Sequence, residues 1–230
     1  MKKWTSTLVS MIMIIVLAGC SLEPPEWAKP DGAGNKGQKK IGLSISTLNN
    51  PFFVSLKDGV VAEAQKQGIE VIVVDAQNDS AKQTNDVDDL IQQGVDALLI
   101  NPADSAAIST AVQSANSVGI PVITLDRSAD KGEVAALVAS DNVKGGQMAA
   151  EYFVEQLGEG AKVIELEGVP GASATRERGK GFHEVADQKL DVVAKQSADF
   201  DRSKGLNVME NLLQGNPDVQ AVFAHNDEMA

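Results

Sequence analysis

Lys40-Ile41-Gly42-Leu43-Ser44-Ile45-Ser46-Thr47-Leu48-Asn49-Asn50-Pro51-Phe52-Phe53-Val54-Ser55-Leu56-Lys57-Asp58-Gly59 reads as a strand, a polar turn and the start of a helix. The apolar run Ile41–Ser46 suits a strand. Asn50 suits a helix cap and Pro51 the first helical position. Phe53, Leu56, Val60 and Ala64 then recur at helical spacing. The same grammar repeats down the chain, with strands predicted at Glu70–Asp75, Ala97–Asn101, Val122–Asp126, Lys162–Glu167, Asp191–Ala194 and Val219–Ala224. The helical stretches between several of them end in glycine, at Gly68, Gly94 and Gly119, where a left-handed cap is expected. Val87, Leu90 and Ile91 form another apolar stripe, and Ser80 with Gln83 suggests a capping box.

Strands that are apolar throughout and alternate with amphipathic helices imply parallel sheets covered on both faces. Ser140-Asp141-Asn142 marks a boundary: four strand–helix units precede it, and Gly145-Gly146 opens a new helix after it. The expected fold is α/β, with two doubly wound parallel-sheet lobes at residues 40–140 and 141–230.

Composition narrows the function. The 230 residues carry a net charge of −12, which argues against nucleic-acid binding, since phosphate needs clustered Lys and Arg. A single cysteine, Cys20, excludes an internal disulfide framework, a redox pair and a Cys-rich zinc site. Residues 1–19 read as a secretory signal: Lys2 and Lys3 precede the apolar run Leu8 to Leu17. The run ends in Leu17-Ala18-Gly19-Cys20, which resembles the bacterial lipobox, in which the cysteine is acylated. Residues 20–39 hold three prolines and several glycines without apolar period, as a flexible tether would. The expected location is the outer face of the cell membrane, held by the lipid on Cys20.

Ligands of such sheets bind beyond the carboxyl ends of the strands. There the chain places Asn50, Phe52 and Phe53, then Asp126 and Arg127, and finally Asn226. Adjacent phenylalanines on a helix point about 100° apart, so they do not share one core face. One or both are free to lean over the crevice. Asp126 and Arg127 diverge at a strand end, where their mutual ion pair is worth little and contact with one ligand from two sides is favoured. Phe200, in the polar loop Asp199-Phe200-Asp201, is either a satellite of the core or a second aromatic wall. Arg176-Glu177-Arg178 offers a second guanidinium, with Arg176 read as a solvated helix start. Flat aromatics with Asp, Arg and Asn suit a small neutral polyol, whose hydroxyls need paired donors and acceptors.

Catalytic readings fare worse. The first strand–helix turn has no glycine-rich dinucleotide fingerprint and no phosphate loop occurs. His183 and His225 are the two histidines and stand in unrelated sequence contexts. No cofactor, metal or enzymatic activity is expected.

Ser46 to Gly59 closely resembles the first strand–helix turn of the bacterial ribose-binding proteins. So do Leu99-Ile100-Asn101-Pro102, Pro121 to Arg127, Ala139 to Asn142, Arg176 to Gly179, Ala198 to Arg202 and Phe223 to Ala230. That family feeds sugar ABC importers and closes two lobes on its ligand. The resemblance implies sugar contacts from Asn50, Phe52, Phe53, Asp126 and Arg127 of the first lobe. Arg178, Phe200 and Asn226 would follow from the second, with Phe52 and Phe53 facing Phe200. It selects Arg178 over Arg176. It implies D-ribose, or another small sugar or furanosyl signal, as ligand, with membrane permease subunits as partners and a monomeric state. The family continues past the position of Ala230, so the resemblance also implies an incomplete second lobe, poor stability and weak or no binding for a chain of this length. A sugar-sensing repressor domain shares the fold but predicts an N-terminal helix-turn-helix and a basic surface.

Overall fold

The computed structural model describes residues 38–230. The signal segment, Cys20 and most of the tether lie outside the described residues. The first layer contains β1 (Lys40–Ile45), β2 (Glu70–Asp75), β3 (Ala97–Ile100), β4 (Val122–Leu125) and β5 (Ala136–Val138). They form one parallel sheet in the order β2-β1-β3-β4-β5. Its helices are α1 (Pro51–Lys66), α2 (Ser80–Gln92) and α3 (Ser109–Ser117).

Alternate residues of each strand feed opposite cores, as the two-residue period of a strand demands. Leu43, Ile45, Val71, Val73, Leu99 and Ile123 pack with Phe53, Leu56 and Val60 of α1. Ile72, Val74, Leu98, Ile100 and Val122 pack with Val87 and Leu90 of α2 and Val112 of α3. The sheet is therefore doubly wound, and its strand order reverses direction at β1/β3, the crevice where such sheets bind ligands.

The second layer repeats the plan. The strands β6 (Lys162–Glu167), β7 (Asp191–Ser197) and β8 (Ala221–Ala224) form a parallel sheet in the order β7-β6-β8. One face carries α4 (Asn142–Leu157) and α5 (Ser173–Lys189), with Ala150 of α4 and Phe182 and Ala186 of α5 clustered with Val163 and Phe223 of the sheet. The other carries α6 (Arg202–Gly215), with Val208 and Leu212 clustered with Ile164 and Leu166. Gly68, Gly94 and Gly119 follow helices with φ of +67°, +70° and +77°, the left-handed caps expected of them.

Three local expectations are corrected. β5 is absent from the predicted strands: Ala136, Leu137 and Val138 lie in the apolar run Val134–Ala139, but they form a short edge strand that is exposed rather than buried. The strand at Asp191 continues to Ser197, where polar edge residues pair with β6 past a bulge at Val163/Ile164. Ser80 and Gln83 form no capping box. Asp79 caps α2 by accepting from the Ala81 and Lys82 amides. Gln83 is fully buried, donates to Ser44 Oγ and Asn101 O, and accepts from the Ala103 amide, so it ties α2 to two strands.

Candidate functional site

Asn50 takes the extended conformation that a helix cap requires, and its Oδ1 accepts the Phe52 amide at 2.9 Å. Phe53 turns into the core, whereas Phe52 is 56% exposed, with the two rings edge to face at 5.3 Å. Their 100° separation thus divides the pair between core and crevice.

β4 ends in a sharp turn. Asp126 has φ +63°, a left-handed conformation uncommon for a residue other than glycine. Its amide donates to Val138 O at 2.8 Å, so the unforeseen β5 anchors this turn. The turn sends Arg127 inward, where it is buried between the rings of Phe53 and Phe200, at 5.1 and 5.2 Å from their centroids. Arg127 Nη1 donates to Pro102 O at 2.9 Å. Its Nε lies 3.6 Å from Asp126 Oδ2, beyond hydrogen-bond reach, and is buried without a partner. Burial pulls the guanidinium down to about 10, with Asp126 offsetting part of that effect. Burial likewise pushes the Asp126 carboxyl up, against the attraction of Arg127 and Arg178.

The second layer supplies the facing wall. Phe200 follows Asp199 in left-handed conformations of +59° and +54°. Its ring lies so close to Gly168 that a β-carbon there would collide with it. Arg178 projects from α5, with Nε donating to Asn142 Oδ1 at 2.9 Å and Nη1 to the carbonyl of His225. Asn226 follows β8, and its Oδ1 accepts the Met229 amide at 3.2 Å, the capping geometry.

Asn50, Phe52, Phe53, Asp126, Arg127, Arg178, Phe200 and Asn226 all line one cavity of about 660 Å³ between the two sheets. The cavity also takes in Asn142 and His225, which the sequence reading did not place at the site. Asn142 is buried and holds Arg178 from across the α4–α5 contact. The quoted motif Ala139 to Asn142 was the available signal, but it was read as a boundary.

Arg176 is exposed in the first turn of α5, as a solvated helix start would be, and its Nη2 also pairs with Asp130 Oδ1 at 2.7 Å, across the two layers. Beside it the Ser105 amide donates to Gly171 O, the Ser173 amide to Ser105 Oγ, and the Ser128 amide to Ser173 Oγ, at 2.9–3.1 Å. These contacts bridge the layers outside the cavity. Among the described residues, no cluster of three His, Cys, Asp or Glu side chains is placed to hold a metal.

Two doubly wound α/β layers with a polar, aromatic-walled cavity between their strand ends define a solute-binding protein that grips its ligand from two sides. Residues 41–230 match the periplasmic binding protein domain model, and the chain belongs to that family. It is 72% identical over all 230 residues to the ribose import binding protein of Bacillus subtilis, spanning 75% of that protein. It is 61% identical over 191 residues to the ribose import binding protein of Escherichia coli, 83% of this chain and 64% of that one. A solved structure of a Caulobacter myo-inositol binding protein, bound to myo-inositol, superposes with a TM-score of 0.80 at 32% identity, covering 86% of this chain and 69% of that one. These relatives are named for binding a solute, not for transforming one.

Proposed function

We propose that this protein captures D-ribose between its two lobes, residues 40–140 and 141–230, and delivers it to the membrane permease of an ABC importer. The carrying observation is the Asp126–Arg127 pair. A buried guanidinium with Nε unpartnered, beside a carboxylate raised by burial, is left incomplete by its own chain and suits a hydroxyl pair. Arg178 and Asn226 supply further polar contacts from the opposite wall. Phe52 and Phe200 offer apolar faces to the C–H surfaces of a pyranose. Identity to ribose import binding proteins supports the choice of sugar. Acylation of Cys20 would hold the protein, as a monomer, on the outer face of the cell membrane.

Isothermal titration against a panel of pentoses and hexoses tests the ligand. Ribose is expected to give the strongest binding, and a hexose preference or no heat with any sugar overturns it. Palmitate labelling of the parent and of Cys20→Ala tests the anchor, with label expected in the parent alone.

A further inference from the structure

Among the described residues, Arg127 and Glu165 are the acidic or basic side chains, histidine apart, that are buried. Arg127 belongs to the cavity. Glu165, in the middle of β6, does not, and it has no ligand to serve directly. Both histidines converge on it, contrary to their unrelated sequence contexts. His225 Nε2 lies 2.9 Å from Glu165 Oε1, and His183 Nε2 lies 2.8 Å from Oε2.

The ring protons follow from the partners. His225 Nδ1 faces the Gly168 amide at 3.4 Å and accepts from it, which leaves Nε2 to donate to Glu165. His183 has a carboxylate on each nitrogen: Glu165 on Nε2 and Asp187 Oδ1 on Nδ1 at 2.7 Å. Only the imidazolium donates to both. The charged groups facing His183 are thus Glu165 from β6 and Asp187 from its own helix. His225 shares Glu165 from the end of β8. α4, which packs along α5, engages Glu184 through Gln147 at 2.6 Å.

This cluster spans the gap that Arg178 spans. His183 and Arg178 are both on α5, and Arg178 donates to the carbonyl of His225, whose ring Glu165 holds. Gly179 of α5 faces the cluster: a β-carbon there would be in van der Waals contact with His225 Cε1 at 3.4 Å and Glu165 Oε1 at 3.5 Å. We propose that Glu165, His183 and His225 are positioning residues that hold Arg178 in the cavity, and that the protonation of His183 sets how firmly α5 is drawn onto the end of β8. When His183 loses its proton, a lone pair faces a carboxylate and the cation offsetting buried Glu165 disappears. The grip on Arg178 then loosens.

The direction with pH follows. Burial disfavours the His183 cation, but the hydrogen bonds and charges of Asp187 and Glu165 outweigh it and raise its pKa. A raised histidine contributes fully below its ordinary value and is lost as pH rises through the raised one. Burial of Glu165 is similarly outweighed by His225 and His183, so its carboxyl stays below its ordinary value and remains ionised across this window.

The affinity arm of the test rests on the sugar-capture reading, and a second arm does not. Ribose dissociation constants measured from about pH 5.5 to 8.5, below the Arg127 titration, are expected to rise at least threefold through the His183 titration in the parent, and to stay flat in His183→Gln. Identical profiles in the two proteins overturn the proposal. Asp126 and Arg127 are the same in both proteins, so the difference between them isolates His183. Without ligand, the Arg178 Nε–Hε resonance of the parent is expected to move with the same midpoint as the His183 ring. A resonance that ignores that titration overturns the proposal, whether or not His183→Gln folds. If the parent binds no sugar at any pH, the sugar reading fails, and the resonance still decides the positioning role.

Discussion

Arg127 is aimed by three contacts at once: two aromatic faces fix its plane, and the Pro102 carbonyl occupies Nη1. What remains is Nε, buried beside Asp126 without a partner. In a water-poor site, a hydrogen bond between a hydroxyl and a charged group contributes roughly 1.5–3 kcal/mol, against about 0.5–1.5 for an aromatic contact beyond its area. Asp126→Ala or Arg127→Ala is therefore expected to weaken ribose binding by about tenfold to several hundredfold. Phe52→Ala should cost less. Titration calorimetry on variants shown to fold by circular dichroism checks the ranking, and an Asp126→Ala variant within about threefold of the parent removes Asp126 from the site. Asp126 also carries a stability signature. Its folded pKa lies above the ordinary 3.8, so the folded state holds the proton more tightly, and the penalty of its charge fades as pH falls through that window. Ligand-free Asp126→Asn should melt at or above the parent at neutral pH, with the difference shrinking as the parent's carboxyl protonates. Thermal melts across pH decide it, and a difference that grows toward acid contradicts the sign. Asn50, Phe52, Asp126 and Arg127 were legible because polar and aromatic residues at strand ends have few structural reasons to be there. Asn142 and His225 were not, because they act by holding Arg178 from 36 and 47 residues away, a relation no local pattern encodes.

At the scale of elements, α4 and α5 approach backbone to backbone. A β-carbon at Gly146 would overlap Arg178 O and sit 2.7 Å from Phe182 N, and one at Gly181 would overlap Val143 O. The neighbouring Gly145 has nothing within 4 Å. Gly146→Ala is expected to destabilise by about 1–3 kcal/mol through overpacking. Gly145→Ala should stabilise by roughly 0.4–1 kcal/mol, because it restricts only the unfolded chain. Urea unfolding of both variants checks the pair, and equal midpoints would contradict the close approach. The strand–helix alternation was readable throughout, since buried parallel strands are apolar on both faces and the capping glycines punctuate them. β5 is the exception, because its apolar residues stay exposed at the sheet edge with no helix following to mark a strand–helix unit, although it fixes the Asp126 turn through Val138 O.

At the scale of the molecule, the cavity draws its walls from both layers, so a ligand makes its full set of contacts only when the layers meet. Small-angle scattering on a form that continues past Ala230 should show a smaller radius of gyration with ribose than without, and an unchanged radius contradicts the clamp. The bridge of Arg176 to Asp130, with Ser105, Ser128, Gly171 and Ser173, favours the met arrangement independently of ligand. Arg176→Ala should therefore enlarge the ligand-free radius, and no change would show the bridge to be idle. None of those bridge residues lines the cavity. A substitution among them changes only the fraction of molecules ready to bind, and that fraction multiplies every dissociation constant by the same factor. Overall strength can thus drift, or be tuned, at Arg176 or Asp130 while the rank order of competing sugars, written in the cavity wall, stays as it was.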